Sequence, residues 1–259
     1  MSPQAVLIAL AFVILPATFS SGEELLIAAA ASLREPIEEL AELFEDERES
    51  VEIRITFGAS SSLARQIRLG APVDVFVSAD EKWILDLVAR GLVARDAHFP
   101  LVGNRLVVIA RPELGVRITK PGDLLDPSLE RIALPSAAVP LGDYARRWLE
   151  GASLLAPLAP RLVTTEHAKA SLVAVEQGHA DAALIYASDA GYADRAEILF
   201  RIPAAEQPEI VYSAALLNRP GIPAAAADFL RMLAGDEAGR RLVSAGFVAL
   251  PERGEKTQR

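Results

Sequence analysis

Residues 25–44 read LLIAAAASLREPIEELAELF, and the change of pattern inside this stretch decides the fold class. Leu25-Leu26-Ile27-Ala28 is a short unbroken apolar run, the form of a strand covered on both faces. Ser32 and Glu35 then stand at capping-box spacing, and Leu33, Ile37, Leu40, Ala41 and Phe44 recur at helical intervals. Pro36 falls in a first turn, where its missing N–H removes no helical bond. The same grammar continues outward. Val51, Ile53, Ile55 and Phe57 alternate with Glu52, Arg54 and Thr56, as in a half-buried strand. Ser60-Ser61-Ser62 opens a helix with Leu63, Ala64 and Ile67 on one side, stopped by Gly70. A strand over 73–78 leads to Asp80, which caps a helix running to Gly91.

Downstream, strands are predicted at 106–110, 132–134, 162–164, 183–186 and 210–217. Helices are predicted from Gly142 to near Gly151, over 167–177, and around 223–234 and 236–245. Regular β–α alternation implies an α/β fold with parallel sheet flanked by helices. No Pro/Gly/Ser-rich linker divides the chain, so alternation is compatible with one doubly wound sheet or with two lobes.

Composition narrows the function. The 259 residues carry 35 acidic and 26 basic side chains, a formal net charge of −9, and no cysteine. Polyanion binding depends on clustered Lys and Arg, so nucleic acid is not an expected partner. Absence of cysteine excludes disulfides, thiolate metal sites and thiol nucleophiles. A hydrophobic fraction of 51% is sufficient for a large core. Ala5 to Leu15 form an apolar run that Pro16 breaks, followed by Ser20, Ser21 and Gly22. This reads as a signal peptide over 1–22, cleaved after Ser20 or Gly22, although the MSPQ start lacks a basic residue. The run falls short of the ~20 residues that span a bilayer. The polar end, 253–259, reads as a frayed tail.

Five strand-to-helix junctions are small, polar or glycine-bearing: AAAASL (28–33), FGASSSL (57–63), VPLGD (139–143), TTEHA (164–168) and IYASDA (185–190). Helix N-termini offer unpaired N–H groups and the positive end of the dipole, and in a parallel sheet such junctions gather at one edge. Together they make an anion site, with Ser32, Ser60 and Tyr186 as hydroxyl donors. Taken singly, each serine reads equally as a helix cap, and Tyr186 as a core aromatic.

AAAASLREPIEELAELFE, FGASSSLARQIRLGAPVDVFVSADEKWI, LVGNRLVVIAR and ALIYASDA resemble the periplasmic molybdate-binding proteins of ABC importers, type II solute-binding proteins. The resemblance runs in register from about Leu25 to Leu250, and residues 60–83 are its most specific part. It implies two lobes, each a mostly parallel sheet flanked by helices, with the ligand in the cleft between them: lobe 1 over 23–103 plus 212–252, lobe 2 over 104–211. It also implies a tetrahedral dianion held by Ser32, Ser60 and Tyr186 and by the amides of Leu141 and Ala168. Ser61 or Ser62 would then be left to cap the helix. Molybdenum would be held as its oxyanion, without direct protein–metal ligands, and tungstate would fit the same cage. Leu141 stands where the family often has alanine, and Ala168 where it has valine; both keep the N–H.

The resemblance further implies an exported, periplasmic monomer that partners a membrane permease, with no cofactor and no catalytic residues. Sulfate or phosphate is the alternative ligand. A hydrogen phosphate would call for an acceptor beside it, and Asp143, Glu166 and Asp189 stand at the junctions; caps or solvated groups are the plain reading of all three. Arg65 and Lys169 read as solvated helix faces. A secreted serine hydrolase is the remote alternative: the chain lacks G-x-S-x-G, His98 falls in a predicted loop and His179 at a helix end, and only His167 lies near the serines.

Overall fold

The computed structural model describes residues 22–251. The proposed leader, apart from Gly22, and the tail 253–259 lie outside the described residues. The chain begins with β1 (Glu23–Ala30), a 3-10 turn (Ala31–Leu33), α1 (Arg34–Asp46), β2 (Val51–Gly58), α2 (Ser60–Arg68), β3 (Val75–Ser78), α3 (Glu81–Ala89) and β4 (Val93–Gly103). It continues with β5 (Leu106–Ala110), β6 (Ile132–Pro135), α4 (Pro140–Gly151), α5 (Leu155–Leu158), β7 (Leu162–Thr165), α6 (Ala168–Glu176), β8 (Ala182–Tyr186), α7 (Ala187–Ala190) and β9 (Glu197–Arg201). Then β10 (Val211–Leu217), α8 (Ala224–Leu233) and α9 (Asp236–Ser244) return to the first half.

Two five-stranded sheets result, in the orders β2-β1-β3-β10-β4 and β7-β6-β8-β5-β9. The fold is α/β and two-lobed. Both sheets are mixed, where alternation alone implies parallel pairing: β1 pairs in parallel with β2 and β3, but β10 is antiparallel to β3 and β4. The second sheet repeats this, with β6 parallel to β7 and β8 and β5 antiparallel to β8 and β9. β5 and β10 are the strands by which the chain enters a sheet after crossing from the other one, so neither is delivered by a same-sheet βαβ crossover.

Burial follows position. β3, β5 and β8 lie inside their sheets and are buried along their whole length, whereas β2, at an edge, alternates half-buried with exposed residues. The face of α1 that carries Ile37, Leu40, Ala41 and Phe44 is buried, and the Phe44 ring meets Phe229 of α8 edge-on at 5.3 Å. Each such large side chain contributes on the order of 1.5–3 kcal/mol of apolar burial. The C-terminal end of β1 is Ala28-Ala29-Ala30, and these small buried residues leave room above the sheet edge for the turn carrying Ser32.

Two expectations need correcting. His98 is not in a loop: it lies in β4, opposite Ala215 of β10. Ser32 caps nothing. The residue preceding α1 is Leu33, and no side chain bonds that helix end. A 3-10 turn intervenes and points Ser32 into the protein, where it is buried.

Candidate anion-binding cleft

The ends of β1, β2 and β3 in the first sheet, and the strand–helix turns after β6, β7 and β8 in the second, face one another across a small, narrow cleft. Ser32, Ser60, Leu141, Ala168 and Tyr186, the five residues singled out from the sequence, all line it. Its remaining wall includes Gly58, Ala59, Ala79, Pro140 and His167, and no carboxylate.

Local sequence sets each donor. α2 begins at Ser60, after Ala59 in extended conformation. Ser60 therefore does not occupy the cap position, and its Oγ instead accepts the Ala79 N–H at 2.9 Å. With the oxygen so used, its own proton is available to the cleft. α4 opens on Pro140, which has no N–H, so Leu141 supplies the first amide of that helix. The helix can sit this close to β6 only because residue 142 is glycine: a Cβ there would overlap the carbonyl oxygens of Ser136 and Pro135. α6 begins at Ala168, preceded by His167, whose Nδ1 accepts the Ala170 N–H at 3.2 Å. First-turn amides have no intrahelical acceptor, so α2, α4 and α6 bring three positive helix ends to one point.

Tyr186 ends β8, is fully buried, and its hydroxyl has no partner among the described residues. An unpaired buried hydroxyl costs about 1–3 kcal/mol, which an acceptor in the cleft would remove. Burial pushes the Tyr186 hydroxyl well above its ordinary pKa, so it stays protonated and donates. Ser32 Oγ lies 2.9 Å from the hydroxyl of Tyr212, on β10. The Ser32, Ser60 and Tyr186 hydroxyls and the Leu141 and Ala168 amides are all neutral groups with a proton to donate, and an ionised oxyanion only accepts.

Residues 25–248 match the family described as bacterial extracellular solute-binding protein. The chain belongs to that family. It is 30% identical over 237 residues to the molybdate-binding protein ModA of Haemophilus influenzae, covering 90% of this chain and 92% of the relative. A solved substrate-binding domain of a putative molybdenum ABC transporter from Clostridium difficile shares 30% identity, with a TM-score of 0.68 over 88% of this chain and 99% of that one. The periplasmic molybdate-binding protein of Azotobacter vinelandii, 24% identical, superposes with a TM-score of 0.78 over 88% of this chain and 100% of its own, which supports the fold.

Around the cleft of this solute-binding protein, the structure departs from the plain reading of several charged groups. Lys169 is not a solvated face. Its side chain is 16% exposed and pairs at 2.7 Å with Glu35 of α1, in the opposite lobe. Asp143 pairs at 3.0 Å with Lys82 of α3, again across the lobes, while Glu166 is exposed as expected. Asp189 neither caps nor meets solvent. It is fully buried, neither carboxyl oxygen has a hydrogen-bond partner among the described residues, and its nearest cation is Lys169 Nζ at 3.8 Å. Desolvation pushes its pKa up to about 7, with Lys169 pulling it down and Glu35 raising it. Sequence reasoning missed Asn104 and Tyr212, which lie behind Ser32. The only sequence signal was their polarity inside otherwise apolar surroundings.

Proposed function

We propose that this protein captures molybdate in the cleft between its lobes and delivers it to the membrane permease of an ABC importer. Tungstate, a tetrahedral dianion of similar size, would enter the same cage. Export through the N-terminal leader, cleaved after Ser20 or Gly22, would place the chain in the periplasm as a monomer without cofactor or catalytic residues. Lobe 1 would comprise 23–103 plus 212–252 and lobe 2 104–211, closing on the anion bound by Ser32, Ser60, Tyr186 and the Leu141 and Ala168 amides.

The observation that carries this reading is the donor-only wall: hydroxyls and helix-terminal amides from both lobes, with no carboxylate. Hydrogen phosphate would find no carboxylate there to take its proton, only the lone pairs of neutral hydroxyls. Sulfate differs in size, so a cage fitted to the larger oxyanion would leave donors unpaired around it, at about 1–3 kcal/mol each. A serine hydrolase is disfavoured by the state of His167. Its Nδ1 already accepts the Ala170 N–H, so in the neutral ring Nε2 carries the proton and has no lone pair with which to take one from serine.

A calorimetric panel of molybdate, tungstate, sulfate and phosphate tests the reading. Molybdate and tungstate should bind tightly and sulfate and phosphate weakly, and at a thousandfold excess over Kd the ligand should add about 4 kcal/mol to stability. Ser60→Ala should weaken molybdate by at least roughly tenfold, the scale of one hydrogen bond to a charged group, while the variant still folds. Equal affinity for sulfate, or no heat with molybdate, would overturn the assignment.

A further inference from the structure

The hydrogen bonds behind Ser32 have a direction that can be read from donor and acceptor chemistry. Asn104 stands in the short segment that joins β4 to β5, one of the two places where the chain passes between lobes. Its Oδ1 accepts the Arg105 N–H at 2.8 Å, which fixes the amide so that Nδ2 faces inward. Nδ2 then donates to Ser188 Oγ of α7 at 2.9 Å and to the Tyr212 hydroxyl at 3.3 Å. An amide nitrogen cannot accept. Tyr212 is fully buried, and its hydroxyl has two hydrogen-bond neighbours among the described residues, Asn104 Nδ2 and Ser32 Oγ. With Asn104 donating to it, the tyrosine hydroxyl directs its own proton to Ser32 Oγ, its near neighbour at 2.9 Å. Ser32 is itself buried and receives that proton, so its own O–H is left to point into the cleft.

We propose that Asn104 and Tyr212 are positioning residues that fix the Ser32 hydroxyl as a donor toward the bound oxyanion. The inference rests on the oxyanion reading above and extends it to residues that do not line the cleft. The chain runs from the Arg105 amide through Asn104 and Tyr212 to Ser32, with each group donating to the next. It begins at an inter-lobe crossing, so the donor direction of one cage hydroxyl depends on the geometry of the hinge. It also contributes to ligand choice. A serine free to rotate could turn a lone pair toward a protonated anion, whereas one already receiving the tyrosine proton presents hydrogen.

The test is a double-mutant cycle of Tyr212→Phe and Ser32→Ala, read by calorimetry with molybdate at pH 7.5. Phenylalanine keeps the ring that packs edge-on against Tyr186 and Phe247, so the ligand-free variant should melt with the wild type. Tyr212→Phe should weaken molybdate by roughly tenfold in the wild-type background and leave Ser32→Ala unchanged, because the phenol acts through that serine. The ratio of molybdate to inorganic phosphate affinity should fall with it. Asn104→Asp, which replaces the inward donor by an acceptor and draws the tyrosine proton away from Ser32, should produce the same loss. Wild-type binding with additive single and double effects would overturn the relay alone, as would wild-type affinity in Asn104→Asp. A wild type that gives no heat with molybdate would overturn the oxyanion reading and the relay together.

Discussion

Asp189 shows how far burial can carry one residue from its ordinary behaviour. In the sequence it is an aspartate three places after a tyrosine, in the first turn of a short helix. In the structure it is a buried carboxyl with both oxygens unpaired and a pKa pushed up to about 7 by desolvation. The folded state thus holds its proton more tightly than the unfolded chain, where the ordinary value is 3.8. Between those two values the native state binds more protons than the unfolded state, so this group makes stability fall as pH rises from about 4 to 7, with no further change above. The shift of roughly three units sets an upper bound of about 4 kcal/mol on the effect. Asp189→Asn keeps the shape and removes the titration. It should therefore raise Tm at pH 8 and change it little at pH 4, as measured by calorimetric melts across that range. An equal shift at both pH values would mean that the carboxyl is not held protonated.

At the scale of elements, a helix start at the cleft can be positioned by close backbone approach as well as by buried side chains. α4 is the sharpest case. Gly142 lies against the carbonyls of Ser136 and Pro135, and Arg146, one turn on, donates to the same Pro135 carbonyl and to that of Gly142. Gly142→Ala should push the helix start away from β6 and destabilise the protein by about 1–3 kcal/mol, as overpacking does, and it should weaken molybdate through displacement of the Leu141 amide. Urea unfolding and calorimetry would read the two effects separately, and a stable variant with unchanged affinity would show that α4 need not sit so close. Element scale is also where the sequence was most and least legible. The interior strands and amphipathic helices were visible because their periodicity is imposed by burial: Ile37, Leu40, Ala41 and Phe44 all face the core. β4 and β9 were not expected at all, and both are sheet edges. An edge strand pairs on one side only, so β4 tolerates Pro100 and the charged residues Arg95 and Asp96, which an interior strand would exclude. The antiparallel entry of β5 and β10 depends on where the chain crosses between lobes, and local pattern carries no record of that. Ser32, Ser60 and Tyr186 were legible because the junction motifs are contiguous, whereas Leu141 and Ala168 came only through the family resemblance, since a backbone amide leaves no side-chain signature. Tyr212 was not, because its partner Ser32 lies 180 residues away.

At the scale of the whole molecule, a net charge of −9 opposes a dianion at long range, yet it does not govern the cleft. The cage is built of local dipoles within a few ångströms of the ligand, whereas surface charges are screened over about 8 Å at physiological salt. Ion pairs that tie the lobes together are a different matter, because they contribute only when the cleft is shut. Lys82 of α3 bridges Asp80 in its own lobe at 2.8 Å and Asp143 of the other lobe at 3.0 Å, and the Lys169–Glu35 pair links the lobes through α6 and α1. Lys82 and Asp143 are partly exposed, with side-chain accessibilities of 44% and 34%, so their pairing is worth at most about 1 kcal/mol. That is too little to set the affinity and enough to alter the lifetime of the closed form. On the closure proposed above, encounter precedes the contact between Lys82 and Asp143, so Lys82→Met should leave the association rate of molybdate unchanged. Dissociation should quicken by roughly two- to fivefold at low salt, the rate equivalent of that pairing energy. At 1 M NaCl, where the screening length falls to about 3 Å, variant and wild type should converge. Stopped-flow fluorescence can follow both rates through Trp83, the neighbour over whose ring the Lys82 ammonium lies at 5.6 Å. A variant slowed in association with an unaltered release rate would place the ion pair in capture of the anion and not in closure around it.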